Sequence, residues 1–359
     1  MACVSASLRG MLPNGRSLGA HLPLGPGMVR AADRAAAIGA SALQVFSDNP
    51  TSWRRRPTLP RDLPAFLDRL HAHGLAPLAI HAPYLVNLAG PEPDLHGRSV
   101  SVLSNELRVA AAYGAQFVNV HVGSHRGSGV EAGINRFTDG IRQTFTLLEA
   151  DASIGTPGTS GPMLVLENSA GGGFGLGVTL EELELIEEAV IAAGIDPSRF
   201  GYCLDTAHAW GAGYPIDTAA GVDDLLAEFD RRLGLDRLRM IHLNDSRSEL
   251  GSRADRHEHI GAGRIGAAGL ARMLLHPALG HVSYYLETPG MEAGFDEVNM
   301  RRALDLAAGR PLGDLPTEAF ETRASRGRGA PPETEYDAPA AETEYDEPVV
   351  PASHRPPDR

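Results

Sequence analysis

Polar side chains stand at or just after the ends of eight short apolar runs, where a buried strand has no structural reason to carry them. In chain order they are His21, Asn49, His81, His121, Glu167, Asp205 with His208, His242 and Glu287. Taken singly, a histidine at a strand end is more often a hydrogen-bonded rim residue than a ligand, and an aspartate often caps the next helix. Brought together, such groups would repel and desolvate one another unless cations balanced them. The pattern therefore predicts metal chemistry.

Two further candidate ligands lie in the segment Asp255-Arg256-His257. In an extended loop, residues at i and i+2 point the same way and can bind one ion. The nine candidate ligands are His81, His121, Glu167, Asp205, His208, His242, Asp255, His257 and Glu287. This set of histidines and carboxylates without cysteine suits Zn²⁺ or Mn²⁺ in a hydrolytic site. At three or four protein ligands for each ion, with one carboxylate bridging, nine ligands suit three ions.

The apolar runs predict the elements that position these side chains. The predicted strands are Ser17 to Leu24, Ala42 to Asp48, Ala76 to Ala82, Phe117 to Gly123, Met163 to Asn168, Phe200 to Thr206, Arg239 to Asn244 and Val282 to Thr288. Helix-like segments between them include Met28 to Ile38, Arg61 to His73, Ser99 to Tyr113, Leu180 to Ala193 and Asp217 to Leu233. Eight β-α units in one run favour an α/β fold of the closed (β/α)₈ TIM-barrel type over an open doubly wound sheet. Because barrel active sites lie at the C-terminal ends of the strands, the polar groups should converge on one pocket.

The absence of lysine, the low cysteine count and the lack of long apolar runs exclude several classes of protein. The chain of 359 residues has a net charge of −13, and all 32 basic residues are arginine, so Schiff-base and P-loop lysine chemistry are excluded. Two cysteines, Cys3 and Cys203, are too few for a disulfide framework or a cysteine zinc site, which indicates a reducing compartment. No apolar run approaches the roughly 18 residues of a membrane span. We therefore expect a cytoplasmic protein with no membrane partner.

Three segments are predicted. Residues 1–16 form an N-terminal extension, residues 17–314 form the barrel, and residues 315–359 form a disordered acidic tail rich in Pro and Glu. In this tail Glu-Thr-Glu-Tyr-Asp occurs twice and apolar periodicity is lost, so it cannot bury enough surface to offset its ordering entropy. The sequence identifies no partner for the tail.

Seven ordered segments resemble endonuclease IV, the type 2 apurinic/apyrimidinic endonuclease family. They are His81-Ala-Pro-Tyr-Leu-Val-Asn-Leu-Ala89, Asn119-Val-His-Val-Gly-Ser-His125, Leu166-Glu-Asn-Ser-Ala-Gly171, Cys203-Leu-Asp-Thr-Ala-His208, Ile241-His-Leu-Asn-Asp245, Gly251-Ser-Arg-Ala-Asp-Arg-His257 and Leu286-Glu-Thr-Pro289. The resemblance covers essentially the whole barrel, and the tail lies outside it.

The resemblance implies three zinc ions, with Mn²⁺ as an alternative in one or more sites. The implied ligand sets are His81, His121 and Glu167; Glu167, Asp205, His242 and Glu287; and His208, Asp255 and His257. Glu167 is the implied catalytic residue, a bridging carboxylate that works with a metal-bound hydroxide. The implied reaction is hydrolysis 5′ to abasic sites in double-stranded DNA, leaving 3′-hydroxyl and 5′-deoxyribose phosphate ends, together with trimming of blocked 3′ ends. The implied enzyme is a monomer.

Contacts to DNA are expected from aromatic and basic residues near the pocket. The candidates are Tyr84, Asn49, Trp53, Arg54, Arg55 and Arg256. Three positions depart from the family pattern: Thr51 stands where an arginine that enters the DNA stack is common, Val122 replaces the usual proline, and Gly172 replaces a polar residue. None is a ligand candidate, so these departures concern affinity for the lesion rather than hydrolysis.

Two other functions compete with this interpretation. A sugar isomerase or epimerase of the xylose-isomerase barrel type would need only Glu167, Asp205, His242 and Glu287, which leaves the other five ligand candidates as surplus. A catalytically silent binder of damaged DNA that acts through its tail is the second alternative, and the intact ligand set argues against it.

Overall fold

Eight parallel strands form a closed barrel in the computed structural model, which describes residues 12, 15–149 and 161–320. The strands of the described chain are β1 Leu18–His21, β2 Ala42–Val45, β3 Leu78–His81, β4 Phe117–His121, β5 Met163–Glu167, β6 Phe200–Asp205, β7 Leu238–His242, β8 Asp245–Ser246, β9 His257–Glu258 and β10 Ser283–Leu286. Neighbours around the barrel run β1-β10-β7-β6-β5-β4-β3-β2, while β8 and β9 pair separately as an antiparallel ladder. This closure confirms the predicted (β/α)₈ barrel.

Helices cover the outside of the barrel. They are α1 Met28–Ala37, α2 Leu63–His73, α3 Pro93–Ala112, α4 Val130–Glu149, α5 Leu180–Ala192, α7 Ala219–Leu233, α8 Gly266–Leu275 and α9 Phe295–Ala307, whereas the short helix α6 Thr206–Ala212 directly follows β6 at the C-terminal end of the barrel. Helix α3 begins six residues before its predicted start, because Pro93 fits the first helical turn, where its missing N–H costs no hydrogen bond. Helix α4 was not predicted individually, since Gly133 and Gly140 weaken its helical propensity.

The barrel strands end one to three residues before the predicted runs end. Apolar residues such as Leu22 and Leu243 continue past the strand ends and remain buried in the loops. Burial therefore extends beyond the ladder of hydrogen bonds, and a run of apolar residues overestimates strand length.

A small apolar cluster lies apart from the main core, which packs the strands against the helices. Its buried members are Ala42, Ala79, Val165, Cys203, Met240 and Tyr285. Two residues further along the same segments stand Gln44, His81, Glu167, Asp205, His242 and Glu287. Because side chains alternate along a strand, both sets point to the same face. The apolar set fills the barrel interior, and the polar set forms a layer above it at the C-terminal end.

The ends of the described chain pack onto the barrel. Arg16, in the predicted N-terminal extension, is buried and donates from Nη1 to the Leu274 carbonyl at 2.5 Å. Beyond α9 the described chain continues to Phe320, and Ala319 is fully buried. The chain thus continues on the barrel through the first six residues of the predicted tail, 315–320, and residues 321–359 lie outside the described residues. Among the described helices, none is long and apolar enough to cross a membrane.

Candidate metal centre

The C-terminal end of the barrel brings together all nine predicted ligands. Five of them are the last residues of consecutive strands β3 to β7, namely His81, His121, Glu167, Asp205 and His242. Glu287 directly follows β10, His208 lies in the first turn of α6, and Asp255 and His257 come from the segment that ends in β9. Residues up to 206 positions apart in the sequence therefore share one site.

Glu167 lies between two groups of side chains and is fully buried. Its Oε2 is 3.1 Å from His121 Nε2 and 3.5 Å from His81 Nε2. Its Oε1 is 3.0 Å from His242 Nδ1. The two oxygens of one carboxylate thus face different clusters, which is the arrangement that a bridging ligand requires.

The second group surrounds His242. Its Nδ1 lies 3.3 Å from Glu287 Oε2 and 3.8 Å from Asp205 Oδ2, in addition to its approach to Glu167. One ligand atom from each of Glu167, Asp205, His242 and Glu287 lies within 4.8 Å of the other three. Three carboxylates and one imidazole therefore converge on a single small volume.

The third group surrounds Asp255. Asp255 Oδ2 is 3.1 Å from His208 Nε2, and Asp255 Oδ1 is 3.1 Å from His257 Nε2. Asp205 also approaches this group, with its Oδ2 3.5 Å from His257 Nε2, so that Asp205, His208 and His257 lie within 4.8 Å of one another. Asp205 therefore lies between the second and third groups, as Glu167 does between the first and second.

Pairing inside these groups shifts several pKa values. Burial opposes ionisation of Glu167, yet the positive charges of His121 and His242 lower its pKa well below the usual range. Burial likewise opposes protonation of His257, but Asp255 and Asp205 raise its pKa to about 10. Asp255 and Asp205 therefore favour positive charge on the His257 ring, and a divalent cation satisfies the same electrostatic demand.

Hydrogen bonds fix which ring nitrogen faces the groups in three of the histidines. The Nδ1–H of His81, His208 and His257 donates to the backbone carbonyls of Ala82, Asn168 and Glu287, at 2.6, 2.9 and 2.7 Å. A carbonyl can only accept, so Nε2 of each ring is left as the ligand atom, as in protein metal sites. His257 Nε2 is buried and makes no well-directed hydrogen bond, although Asp255 Oδ1 lies 3.1 Å away. These donors fit a metal ion.

A cleft of about 630 Å³ opens above the groups. His81, His121, His208, Asp255, His257 and Glu287 form part of its lining. Tyr84 stands at its rim with 41% of its surface exposed, and its ring packs against Phe46 with centroids 5.1 Å apart. The cleft therefore combines a polar floor with an exposed aromatic rim.

Comparison with known proteins assigns the chain to a family. A family model described as "Xylose isomerase-like TIM barrel" matches residues 32–308. A "Probable endonuclease 4" of Methanoculleus marisnigri is 39% identical over 290 residues, which cover 81% of this chain and 98% of the relative. The crystal structure of endonuclease IV from Thermus thermophilus is 36% identical, has a TM-score of 0.67, and matches 80% of this chain and 99% of that one. The chain belongs to the endonuclease IV family.

Membership in the endonuclease IV family confirms the resemblance seen in the sequence motifs and classes the protein as an enzyme, a hydrolase. A second relative, a "Probable endonuclease 4" of Halothermothrix orenii, is 38% identical over 288 residues, which cover 79% of this chain and 99% of the relative. A D-tagatose 3-epimerase-like protein shares the fold at 16% identity, with a TM-score of 0.58.

The loop that follows β2 carries most of the predicted DNA contacts of this endonuclease IV family member. Asn49 Oδ1 accepts from the Thr51 backbone N at 3.0 Å and from Thr51 Oγ1 at 2.9 Å, so the Asn49 side chain shapes the loop. Trp53 is half-buried against the core, and Arg54 is exposed. Arg256 is exposed on the separate segment between two ligands, Asp255 and His257.

Arg55 was predicted to contact DNA, but its side chain is largely buried and does not line the cleft. Its side chain is only 10% exposed, and Nη1 lies 3.4 Å from Oε1 of the fully buried Glu106 in α3. Its Nη2 donates to the carbonyls of Asn49, at 2.9 Å, and of Ser52. Arg55 therefore ties the loop to α3 from within, whereas its neighbour Arg56 lines the cleft.

Buried amides around the ligands were not predicted. Asn119 Nδ2 donates to Glu167 Oε2 at 2.6 Å, and Asn244 Nδ2 donates to Asp205 Oδ2 at 2.7 Å. Gln44 donates to Glu287 Oε1 at 2.6 Å and accepts from His242 Nε2 at 3.0 Å. Asn119 and Asn244 each lie two residues from a ligand, His121 and His242, and this spacing was the signal that could have found them.

Proposed function

We propose that the protein is a zinc-dependent DNA repair endonuclease that hydrolyses the phosphodiester 5′ to abasic sites. It leaves 3′-hydroxyl and 5′-deoxyribose phosphate ends and also trims blocked 3′ ends. The convergence of nine histidine and carboxylate ligands beneath one open cleft supports this function. The names of the endonuclease 4 relatives support the same reaction class.

Three ions are proposed, each held by one group of side chains. His81, His121 and Glu167 hold the first; Glu167, Asp205, His242 and Glu287 the second; and His208, Asp255 and His257 the third, with Mn²⁺ as an alternative to zinc in one or more sites. When bound, such cations attract the phosphodiester, lower the pKa of a water nucleophile and stabilise the leaving alkoxide.

The chain's own residues supply orientation. Glu167 and Asp205 join neighbouring groups, and the amides of Asn119 and Asn244 fix one oxygen of each carboxylate. Tyr84, exposed above His81 with ring centroids 5.8 Å apart, offers an aromatic face to the gap left by a missing base. Arg54 and Arg256, exposed near the site, supply phosphate contacts in an otherwise acidic protein.

The isomerase alternative leaves five of the converging side chains unused. His81, His121, His208, Asp255 and His257 would have no role around one or two ions. Their arrangement in two further groups therefore favours the endonuclease.

A duplex that carries one abasic site tests the function. We expect the metal-loaded protein to cut immediately 5′ to the site and leave a 3′ end that a polymerase extends, and we expect a chelator to stop the reaction. An undamaged duplex of the same sequence is the control. Intact abasic DNA together with interconversion of a ketose and an aldose would reverse the assignment.

Thr51→Arg should tighten binding to an abasic duplex. Thr51 is exposed on the loop after β2, and it is too short to fill the space left by an extruded nucleotide. An arginine there gains one stacking contact, which strengthens binding by at most about 1 to 3 kcal/mol. The hydrogen bond from the backbone N of residue 51 to Asn49 Oδ1 is retained. Binding is measured by titration of labelled duplex at fixed salt.

Two controls separate stacking from simple charge in this prediction. Thr58→Arg adds the same charge at another exposed threonine seven residues along the chain. Single-stranded abasic DNA offers little stack to fill. Equal gains from both variants, or on both substrates, would contradict insertion of Arg into the stack.

A further inference from the structure

Residues 309–320, which we call the strap, follow α9 and begin where the match to the family model ends at residue 308. The strap nevertheless packs on the barrel. Ala319 is fully buried, and Leu312 packs against the main core. A segment outside the matched family region is therefore part of the folded structure.

The strap contacts His259, a buried side chain two residues beyond the ligand His257. His259 Nε2 donates to the Ala319 carbonyl at 3.0 Å, and Nδ1 accepts from Asn299 Nδ2 of α9 at 2.9 Å. The ring of Phe320 meets the His259 ring edge-on, with centroids 6.2 Å apart. Both ring nitrogens of His259 are thereby engaged, one by α9 and one by the strap.

A second link joins the strap to the next residue, Ile260. The buried Arg302 of α9 donates from Nη1 to the Gly313 carbonyl of the strap and from Nε to the Ile260 carbonyl at 2.5 Å. Asn299 Oδ1 accepts from Ile260 N at 3.0 Å. The Ile260 backbone is thus held by Asn299 and Arg302 of α9, and the strap supports this arrangement through its bond to Arg302.

Local structure around His257 is weak without these links. Strand β9 has two residues and pairs with the two-residue strand β8, and Arg247 N extends the pairing by donating to the Arg256 carbonyl at 3.1 Å. So short a ladder is marginal by itself. Asp245 anchors the same segment further on, through the amides of Gly263, Ile265 and Gly266, but not at residues 259 and 260. The Glu287 carbonyl holds the His257 ring through Nδ1, and the backbone that carries the ring depends also on how His259 and Ile260 are held.

We infer that the strap is a positioning element for the group formed by His208, Asp255 and His257. This inference rests on the proposed metal-binding function of that group. The strap lowers the freedom of the backbone that carries His257 and so slows loss of the ion held there.

Two matched variants of the full-length chain test the strap. Ala319→Glu places a carboxylate at a buried position, whereas Thr317→Glu places it at an exposed position two residues earlier. We expect Ala319→Glu to raise amide hydrogen exchange at residues 257–263 at least about tenfold. We also expect it to speed release of about one equivalent of zinc to a chromophoric chelator by about 10- to 100-fold, the range seen when support for a ligand is lost. Thr317→Glu should match the unmodified protein in both measurements.

Ala319→Leu and Thr317→Leu repeat the comparison without burying a charge. The inference is overturned if both Ala319 variants match their Thr317 controls. It is also overturned if exchange rises across the whole barrel, since the strap would then be a general stabiliser. Cleavage of abasic DNA is measured separately. If the unmodified protein does not cleave, the proposed function fails, but the hydrogen-exchange comparison of the variants still tests the role of the strap.

Discussion

Glu167→Gln should abolish detectable cleavage of an abasic duplex and leave the barrel folded. Glu167 presents one oxygen to His81 and His121 and the other to His242. Glutamine keeps the shape but turns one of those oxygens into a donor, so it cannot serve both groups as a ligand. We expect the fold to tolerate the change because glutamine has nearly the same size, and the Asn119 amide, whose Oδ1 has no hydrogen-bond partner, can turn over to accept from the new amide. Single-turnover cleavage and thermal unfolding measure the two outcomes.

Asn119→Ala is the matched comparison for Glu167→Gln. It removes the hydrogen bond to Glu167 Oε2 but keeps the carboxylate. Loss of such an outer partner costs about 10- to 100-fold in activity or metal affinity, so this variant should retain measurable cleavage. Near-normal turnover by Glu167→Gln would refute Glu167 as the shared ligand.

Arg55→Ala should lower the free energy of unfolding by about 3 to 5 kcal/mol near pH 8, the cost of removing one partner of a buried ion pair. Glu106, which faces Arg55, is fully buried, and among the described residues only Ser47 Oγ would remain as a donor to its carboxylate. The loop that carries Asn49 and Trp53 also loses its two carbonyl contacts to Arg55. Urea unfolding of matched metal-loaded samples measures the loss.

The cost of Arg55→Ala should fall as the pH is lowered. Burial raises the pKa of Glu106 above its usual value of 4.5, while Ser47 and Arg55 oppose that rise. Without Arg55 the folded state holds a proton on Glu106 more tightly than the unfolded state does. Stability is then lost as the pH rises above about 4.5 and regained on acidification.

Arg54→Ala is the control for Arg55→Ala, because Arg54 is exposed. Its effect on stability should stay within about 0.5 kcal/mol at any pH. Its effect on binding should be a weaker affinity for DNA with a shallower salt dependence. A destabilisation by Arg55→Ala that is equal at pH 5.5 and pH 8 would contradict the buried pairing with Glu106.

The ligands at the strand ends could be predicted from sequence for a simple reason. A strand in a closed parallel barrel is buried on both sides, so a polar residue at its end, such as His81 or Glu167, stands out against its apolar neighbours. Closure of the barrel then brings all such ends to one place. The strand pattern therefore predicts both the fold and the centre.

Residues in loops could not be placed in the same way. Arg54, Arg55 and Arg56 look alike in the sequence, yet only the fold shows that Arg55 turns inward to Glu106 while Arg56 lines the cleft. The direction of a loop side chain depends on a distant partner, here 51 positions away in the sequence. Ala319 escaped prediction for a related reason, since its neighbours in the sequence are mostly polar and its contact with His259 joins residues 60 positions apart.

The last strand of the barrel and the last proposed ligand are both made late in synthesis of the chain. The proposed centre needs Glu287, which follows β10, and the barrel closes only when β10 pairs with β1, where Leu18 meets Tyr284. His21 and Glu287, 2.9 Å apart in the folded protein, emerge from the ribosome 266 residues apart. Chains grow from the N-terminus, so a half-made molecule lacks both the last ligand and a closed barrel. We therefore expect a chain that ends before Glu287 to lack the second proposed ligand group and to show no cleavage.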